Sequence, residues 1–288
     1  MAIIYRCRGY LKGACDYESA EKWTRRCPGC GGYHSIVTKA RDTDEKSKIS
    51  LAHLTEHVSK KYIETGLAAF DKVVGGGIVP GAPYIMSGPP GTGKTTLMLT
   101  VASAFATEKR PVLYTSGEQS RNDIADLAKR IGALSPWVEV MGNNGDMYKI
   151  TERAEEMKAK LVCVDSINTA AVDECDSTEG TSAQIKAVAN YLSAWCKHEE
   201  IALVAITHIN KDGELSGPRA LEHLFDTILE LDPAVEVDEE GEVYEETKGR
   251  IKLESGKNRH GASGVREYFK MTETGIVAIR RRSKLELV

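Results

Sequence analysis

The sequence lacks any run of apolar residues close to the roughly 20 that a membrane-spanning helix needs. One of its longer apolar runs, Ile201–Ile206, is only as long as a strand. The opening residues MAIIYRCRGY contain no uninterrupted apolar stretch leading to a small-residue cleavage site. No secretory signal is therefore expected, and the chain is expected in the cytoplasm, associated with the nucleoid, with no membrane partner. There is no internal repeat of 20–50 residues and no low-complexity tract. Hydrophobic residues make up 41% and charged residues 28%, which excludes a mainly disordered or collagen-like chain. The 288 residues suffice for one large domain, or one domain and a small module, with a core that needs neither disulfides nor metal.

The net charge of −4 conceals an asymmetry. Residues 1–61 carry 12 Lys/Arg and 7 Asp/Glu, whereas the rest carry 26 and 35. A basic head on an acidic body is compatible with nucleic-acid contact and equally with a solvated basic face. Four of the seven cysteines, Cys7, Cys15, Cys27 and Cys30, fall in the first 30 residues. Without a secretory signal, such a cluster points to metal before disulfides. Cys27-Pro28-Gly29-Cys30-Gly31 has the form of a zinc knuckle, and one structural Zn²⁺ on the four thiolates is expected. Cys7 and Cys15 are seven residues apart, wider than the two to four usual for a knuckle. The plainer alternative is one knuckle with two incidental thiols. Cys163 sits in an apolar run and reads as core.

Four parts follow along the chain: a cysteine module (1–38), a polar linker with a short helical stretch (39–61), an alternating region to Leu231 and a region of different texture after it, the last two forming one domain over 62–288. Up to that point, apolar runs at Pro83–Ser87, Val112–Thr115, Leu161–Asp165 and Ile201–Thr207 alternate with helical patterns at Thr95–Thr107, Ser120–Ile131, Tyr148–Ala159 and Thr181–Glu199. Alternation of this kind predicts an α/β fold with a mainly parallel sheet covered on both faces. Residues 232–248 contain eight Asp/Glu and one Lys, with Glu240-Gly241 as a turn signal, and read as an exposed acidic hairpin or loop. Further strands are expected at Arg250–Ser255, Arg266–Met271 and Gly275–Arg281.

The strongest signal is Gly88-Pro89-Pro90-Gly91-Thr92-Gly93-Lys94-Thr95, followed by Thr96, which fits G-x-x-x-x-G-K-[ST] between an expected strand and an expected amphipathic helix. Such a loop turns successive backbone N–H groups onto phosphate, and the helix N-terminus adds partial positive charge. Lys94 would reach the β/γ oxygens of ATP and the Thr95 hydroxyl would ligate Mg²⁺. Asp165, closing the apolar strand Leu161–Asp165, suits the acid of the Mg²⁺ shell; the alternative is a capping Asp at a strand end. Glu118 follows the strand Val112–Thr115 and suits a carboxylate that orients and deprotonates the attacking water. It could equally be the first-turn acid of the next helix.

Taken together, these stretches resemble the RadA/Sms family of bacterial DNA-repair ATPases, a branch of the RecA-like superfamily. The resemblance runs almost continuously over residues 5–283. It is carried by CPGCGGYHSIV; by Thr65-Gly66-Leu67 through Asp71 and on to Gly81; by the phosphate loop; by Ser116-Gly-Glu-Gln-Ser120; and by Val164-Asp-Ser-Ile167. It continues through Thr207-His-Ile-Asn-Lys211-Asp-Gly, through Ser216 to Asp226, and through Lys257-Asn-Arg-His-Gly261. The resemblance implies that Lys94 and Thr95 bind ATP and Mg²⁺, that Glu118 is the catalytic carboxylate, and that Asp165 is the acid on the metal shell. It also implies that His208 senses the γ-phosphate and that Lys211–Arg219 lines a DNA channel, with Lys211 and Arg219 as the phosphate contacts. Lys257 and Arg259 match the family's K-N-R-F-G motif, which resembles a finger acting on a neighbouring subunit's nucleotide. The alternative from the residues alone is a solvated turn between Gly256 and Gly261.

The chain departs from the family pattern at four places. Arg8–Ala14 is inserted in the first knuckle, His260 replaces the finger's Phe, and Asp176–Ser182 lacks a Ser-x-Pro-Gly pattern. The sequence ends at Val288, where family members continue into a Lon-protease-like domain, so it resembles a shortened form of the kind a phage would encode. The resemblance implies a zinc module followed by a RecA-like ATPase that binds single-stranded or branched DNA. Such a protein would act in recombination, branch migration or repair as a homo-oligomer, either a ring (a hexamer) or a filament. The rival readings are a replicative helicase or its loader, a DNA-independent signalling ATPase and a non-catalytic scaffold.

Overall fold

The structure is a computed structural model, and it describes residues 4–7, 17–19, 27, 36–39, 62–173, 175, 177–208, 221–234 and 247–279. The chain divides into two compact units, Met1–Ser59 and Lys60–Val288. In the first, β1 (Ile4–Cys7) pairs antiparallel with both β2 (Glu18–Ser19) and β3 (Ile36–Lys39). β3 extends through Lys39, one residue past the expected end of the cysteine module. Cys27 is buried. Cys15, Cys30, the side chain of Cys7 and the expected linker helix lie outside what is described.

The second unit is built on a sheet whose described strands run in the order β12-β11-β10-β9-β4-β8-β7-β5-β6. The members are β4 (Pro83–Ser87), β5 (Val112–Ser116), β6 (Val138–Met141), β7 (Leu161–Asp165), β8 (Ala202–Ile206), β9 (Thr227–Pro233), β10 (Arg250–Asn258), β11 (Arg266–Thr272) and β12 (Gly275–Ile279). From β9 to β6 every pairing is parallel, and from β9 to β12 every pairing is antiparallel. All five residues of β4, β5, β7 and β8 are buried, as expected for parallel strands covered on both faces.

The helices are α1 (Ala68–Val74), α2 (Lys94–Phe105), α3 (Arg121–Arg130), α4 (Met147–Glu156) and α5 (Ser182–Glu199). Each of the last three starts on a side-chain cap. The Ser120 hydroxyl accepts from the Asp123 amide in a capping box, Asp146 accepts from the amides of Tyr148 and Lys149, and Thr181 accepts from that of Gln184. α2 has no such cap; its N-cap is Gly93 in the left-handed region, which leaves the first amides of the helix unclaimed by a side chain. On one face of the sheet, Leu97, Val101 and Phe105 of α2 pack into a core with Tyr84, Met86, Val112, Tyr114, Cys163, Val204 and Leu229. Each large apolar side chain buried in this way stabilises the fold by about 1.5–3 kcal/mol. That packing fixes the strand ends from which the functional residues project.

The four expected strands of the parallel region agree with the structure to within a residue at each end. In the sheet and α-helices of this unit, three elements were not anticipated. β6 is half-exposed, with Glu139 held by Arg153 rather than by apolar packing, so its pattern is diluted. β9 carries Glu230 and Asp232 within an apolar strand and runs to Pro233, so the first two residues of the expected acidic loop belong to the sheet. α1 is only seven residues long, too short for a clear helical period. Residues 235–246 of the acidic segment, with the Glu240-Gly241 turn, lie outside the described residues, as do Arg280 and Arg281.

Candidate nucleotide site

The C-terminal ends of the parallel strands form one row. Met86 of β4 pairs with Ile206 of β8, and Ser116 of β5 with Asp165 of β7. The 88–95 loop leaves β4 at this row and enters α2. Its backbone is tightly held. Gly88 has φ 153°, and a Cβ there would lie 2.0 Å from the Leu231 carbonyl oxygen of β9. Gly93 has φ 90°, and a Cβ there would lie 2.2 Å from the Met271 methyl of β11. Neither position accepts a side chain without displacing its neighbour, and both backbone conformations favour glycine.

Lys94 is 5% exposed, and its ammonium donates to the carbonyls of Gly88 and Pro89, both at 2.8 Å. Burial pushes its pKa below the usual lysine range, and the charges of Asp165 and Glu118 pull it back up. A bound phosphate would compete with those two carbonyls for a charge that is already largely desolvated. The Thr95 hydroxyl donates to Asp165 Oδ2 at 2.6 Å. Asp165 is 4% exposed; burial raises its pKa, and hydrogen bonds from Thr95 and Tyr114 lower it. A hydroxyl and a carboxylate side by side, next to a phosphate loop, are the hard oxygen donors that Mg²⁺ prefers. The residues present therefore fit a magnesium nucleotide. Asp165 does not cap the following 3-10 turn (Ile167–Thr169), whose N-cap is Ser166.

Glu118 reaches the same region from the end of β5. Its Oε1 accepts from the Ser166 hydroxyl at 2.9 Å and lies 3.2 Å from His208 Nε2. The helix after it begins only at Arg121, and its first-turn acid is Asp123. The reading of Glu118 as a first-turn acid is thus set aside. His208 is oriented from its own backbone, because its amide donates to Asn168 Oδ1 at 3.0 Å. Tyr114, Ser166 and Asn168 were missed in the sequence. The available signal for Tyr114 was a phenol in the middle of a buried strand, which needs a partner for its hydroxyl.

Lys94, Thr95, Asp165, Glu118 and His208 thus share one edge of the sheet. Lys257 and Arg259 do not join them. β10 runs three residues beyond its expected end, so Lys257 lies in a strand, after a register shift, and not in a solvated turn. Lys257 pairs with Ile228, which pairs with Ile85 in the middle of β4. The Arg259 amide donates to the Asp226 carbonyl, and the Asp226 amide to that of Pro83, each at 2.9 Å. Arg259 is therefore level with the start of β4, roughly 13 Å along the strand from Ser87. The Lys257 ammonium donates to the carbonyls of Glu222 and Phe225, and the Arg259 guanidinium to Asp226 Oδ1 at 3.1 Å. Lys211 and Arg219 lie outside the described residues.

A parallel α/β sheet with a phosphate loop, a threonine–aspartate pair and a facing glutamate is the RecA-like P-loop fold. The chain belongs to the AAA domain family, which it matches over residues 51–214. It is similar to proteins named DNA repair protein RadA: 33% identical over 287 residues to that of Halalkalibacterium halodurans, covering 95% of this chain and 60% of the relative. To that of Mycobacterium tuberculosis it is 34% identical over 296 residues, covering 98% and 58%. To that of Bacillus subtilis it is 31% identical over 291 residues, covering 96% and 61%. The resemblance expected from the motifs is borne out. The chain spans about three-fifths of the length of these relatives. Among solved structures, a KaiC-like protein of Pyrococcus horikoshii matches with a TM-score of 0.58 and 19% identity, over 77% of this chain and all of that one. At that identity the likeness is one of fold.

Proposed function

We propose that the chain is an ATP-hydrolysing, single-stranded-DNA-binding motor of the RadA type, acting in recombination, branch migration or repair. The observation that carries the ATPase reading is the Thr95–Asp165 contact at 2.6 Å beside the phosphate loop, with Glu118 facing it across Ser166. Magnesium, when bound, screens phosphate charge and polarises the phosphoryl oxygens. Lys94 and the loop amides hold the phosphates, Thr95 and Asp165 hold the metal, and Glu118 orients the water and takes its proton. His208, tied to both Glu118 and Asn168, reports the state of the γ-phosphate to the segment that follows it. The test is Glu118→Gln. It is expected to bind ATP as the parent does and to hydrolyse it at least about a hundredfold more slowly in a single turnover. A mild effect would move the base elsewhere.

The DNA reading draws on the names of the relatives and on the match of residues 207–226 to a channel loop, with Lys211 and Arg219 contacting phosphates. Assembly into a ring or filament follows from the finger motif. Arg259 is about a strand's length from its own phosphate loop, and the Lys257 ammonium is held by the carbonyls of Glu222 and Phe225, so their use at a nucleotide calls for a second subunit. The likeness to a KaiC-like fold gives no comparable support to a DNA-independent signalling role. No described helix is long and apolar enough to cross a membrane.

One Zn²⁺ on Cys7, Cys15, Cys27 and Cys30 remains part of the proposal, on the strength of the knuckle in the sequence. Among the described residues, which omit Cys15 and Cys30, no group of three potential ligands could hold a metal. Elemental analysis of protein purified without chelator is expected to give one zinc per chain, lost in Cys27→Ser. Zinc-free protein would overturn the assignment.

A further inference from the structure

Tyr114 belongs to no motif in the sequence, yet it touches the centre of the site. It lies on β5, fully buried, on the sheet face that α2 covers, packed in the same core as Leu97, Met98 and Val101. Its hydroxyl donates to Asp165 Oδ2 at 2.9 Å. The same oxygen accepts from the Thr95 hydroxyl at 2.6 Å, while Oδ1 takes no hydrogen bond from the described residues. A phenylalanine would fill the same apolar slot without a polar atom to satisfy, so packing alone does not call for a phenol here.

We propose that Tyr114 is a positioning residue of the nucleotide site: together with Thr95 it holds Oδ2 of Asp165 and so leaves Oδ1 available to a metal. The inference rests on the nucleotide reading above and deepens it. A carboxylate with one oxygen held by a single mobile hydroxyl can rotate about its last bond, and each rotation spoils the donor set. With two donors on one oxygen, from a helix and from a neighbouring strand, the orientation is set before metal arrives. Thr95 could then keep its proton on Oδ2 and offer its own oxygen as a metal donor. Groups that orient a metal ligand in this way are commonly worth 10–100-fold in metal affinity.

The experiment measures equilibrium binding of a mant-labelled ATP to the full chain as Mg²⁺ is raised from a chelated zero. Tyr114→Phe is expected to raise the Mg²⁺ midpoint about 10-fold or more. Nucleotide affinity without metal and the thermal unfolding of the nucleotide-free protein should stay near those of the parent. In an Asp165→Asn background the same substitution is expected to leave the midpoint unmoved, because the group it acts through has changed. Tyr114→4-aminophenylalanine, which keeps both ring and donor, is expected to return the midpoint toward that of the parent. It also provides the comparison should the phenylalanine variant fold poorly. An unchanged midpoint in Tyr114→Phe overturns the proposal. So does an equal shift in the Asp165→Asn background, or a 4-aminophenylalanine variant as defective as one without a donor. If the parent itself shows no magnesium-dependent nucleotide binding, it is the nucleotide reading that fails, which the parent titration reveals before any variant is made.

Discussion

Lys94→Ala is expected to abolish ATP hydrolysis, by at least about 10²–10³-fold, with the fold intact. The ammonium is buried against the loop it serves, so it meets phosphate without the screening that water gives an exposed lysine. The Lys94 ammonium is held by the loop's own carbonyls, whereas Lys257 and Arg259 are tied to the carbonyls of Glu222 and Phe225 and to Asp226. A neutral side chain at 94 therefore removes the compensating charge that the loop itself brings to the transferred phosphoryl group. Steady-state phosphate release, with thermal unfolding as the control, checks this. Turnover close to that of the parent would remove the nucleotide site from the 88–95 loop.

Arg259→Ala is expected to cost about 10³–10⁵ in rate once subunits have assembled, the range for a cation that a neighbour supplies to a phosphoryl transfer. In its own chain Arg259 is level with Pro83, whereas the phosphate loop begins after Ser87, at the other end of β4. Its guanidinium is held by Asp226 and is still half exposed, so it can be offered outward from the sheet. Mixing separates action in trans from a structural role. A Lys94→Ala chain keeps its finger, and an Arg259→Ala chain keeps its phosphate loop. Combined, they should recover part of the hydrolysis that each lacks alone. If mixed assemblies form and no ratio restores activity, Arg259 acts within its own chain or only holds Asp226.

The phosphate loop, Asp165 and the facing Glu118 were legible because each is tied to a fixed place on a parallel sheet. A strand that is apolar throughout must end at the row of C-terminal edges, and a charged residue at that end has nowhere else to project. The clamp on Asp165 was less visible. Tyr114 and Ser166 act through side-chain contacts between strands that are distant in sequence, and only the register of β5 against β7 brings them together. β9 escaped detection for a related reason. Its C-terminal part carries acidic residues, of which Asp232 faces Lys252 of β10, so the alternation reads as a charged loop. The finger was recognised from its motif, but its position opposite the phosphate loop depends on antiparallel pairing with β9, which the local pattern does not encode.

The most direct test of the whole account is the rate of ATP hydrolysis with and without a single-stranded oligonucleotide, measured at low and at high salt. The account predicts that DNA raises the rate. It also predicts that unrelated sequences do so about equally and that the stimulation falls steeply as salt rises, as expected for contacts made chiefly to phosphates. A rate that is the same with and without DNA at every salt concentration would contradict it and leave an ATPase whose partner is something other than nucleic acid.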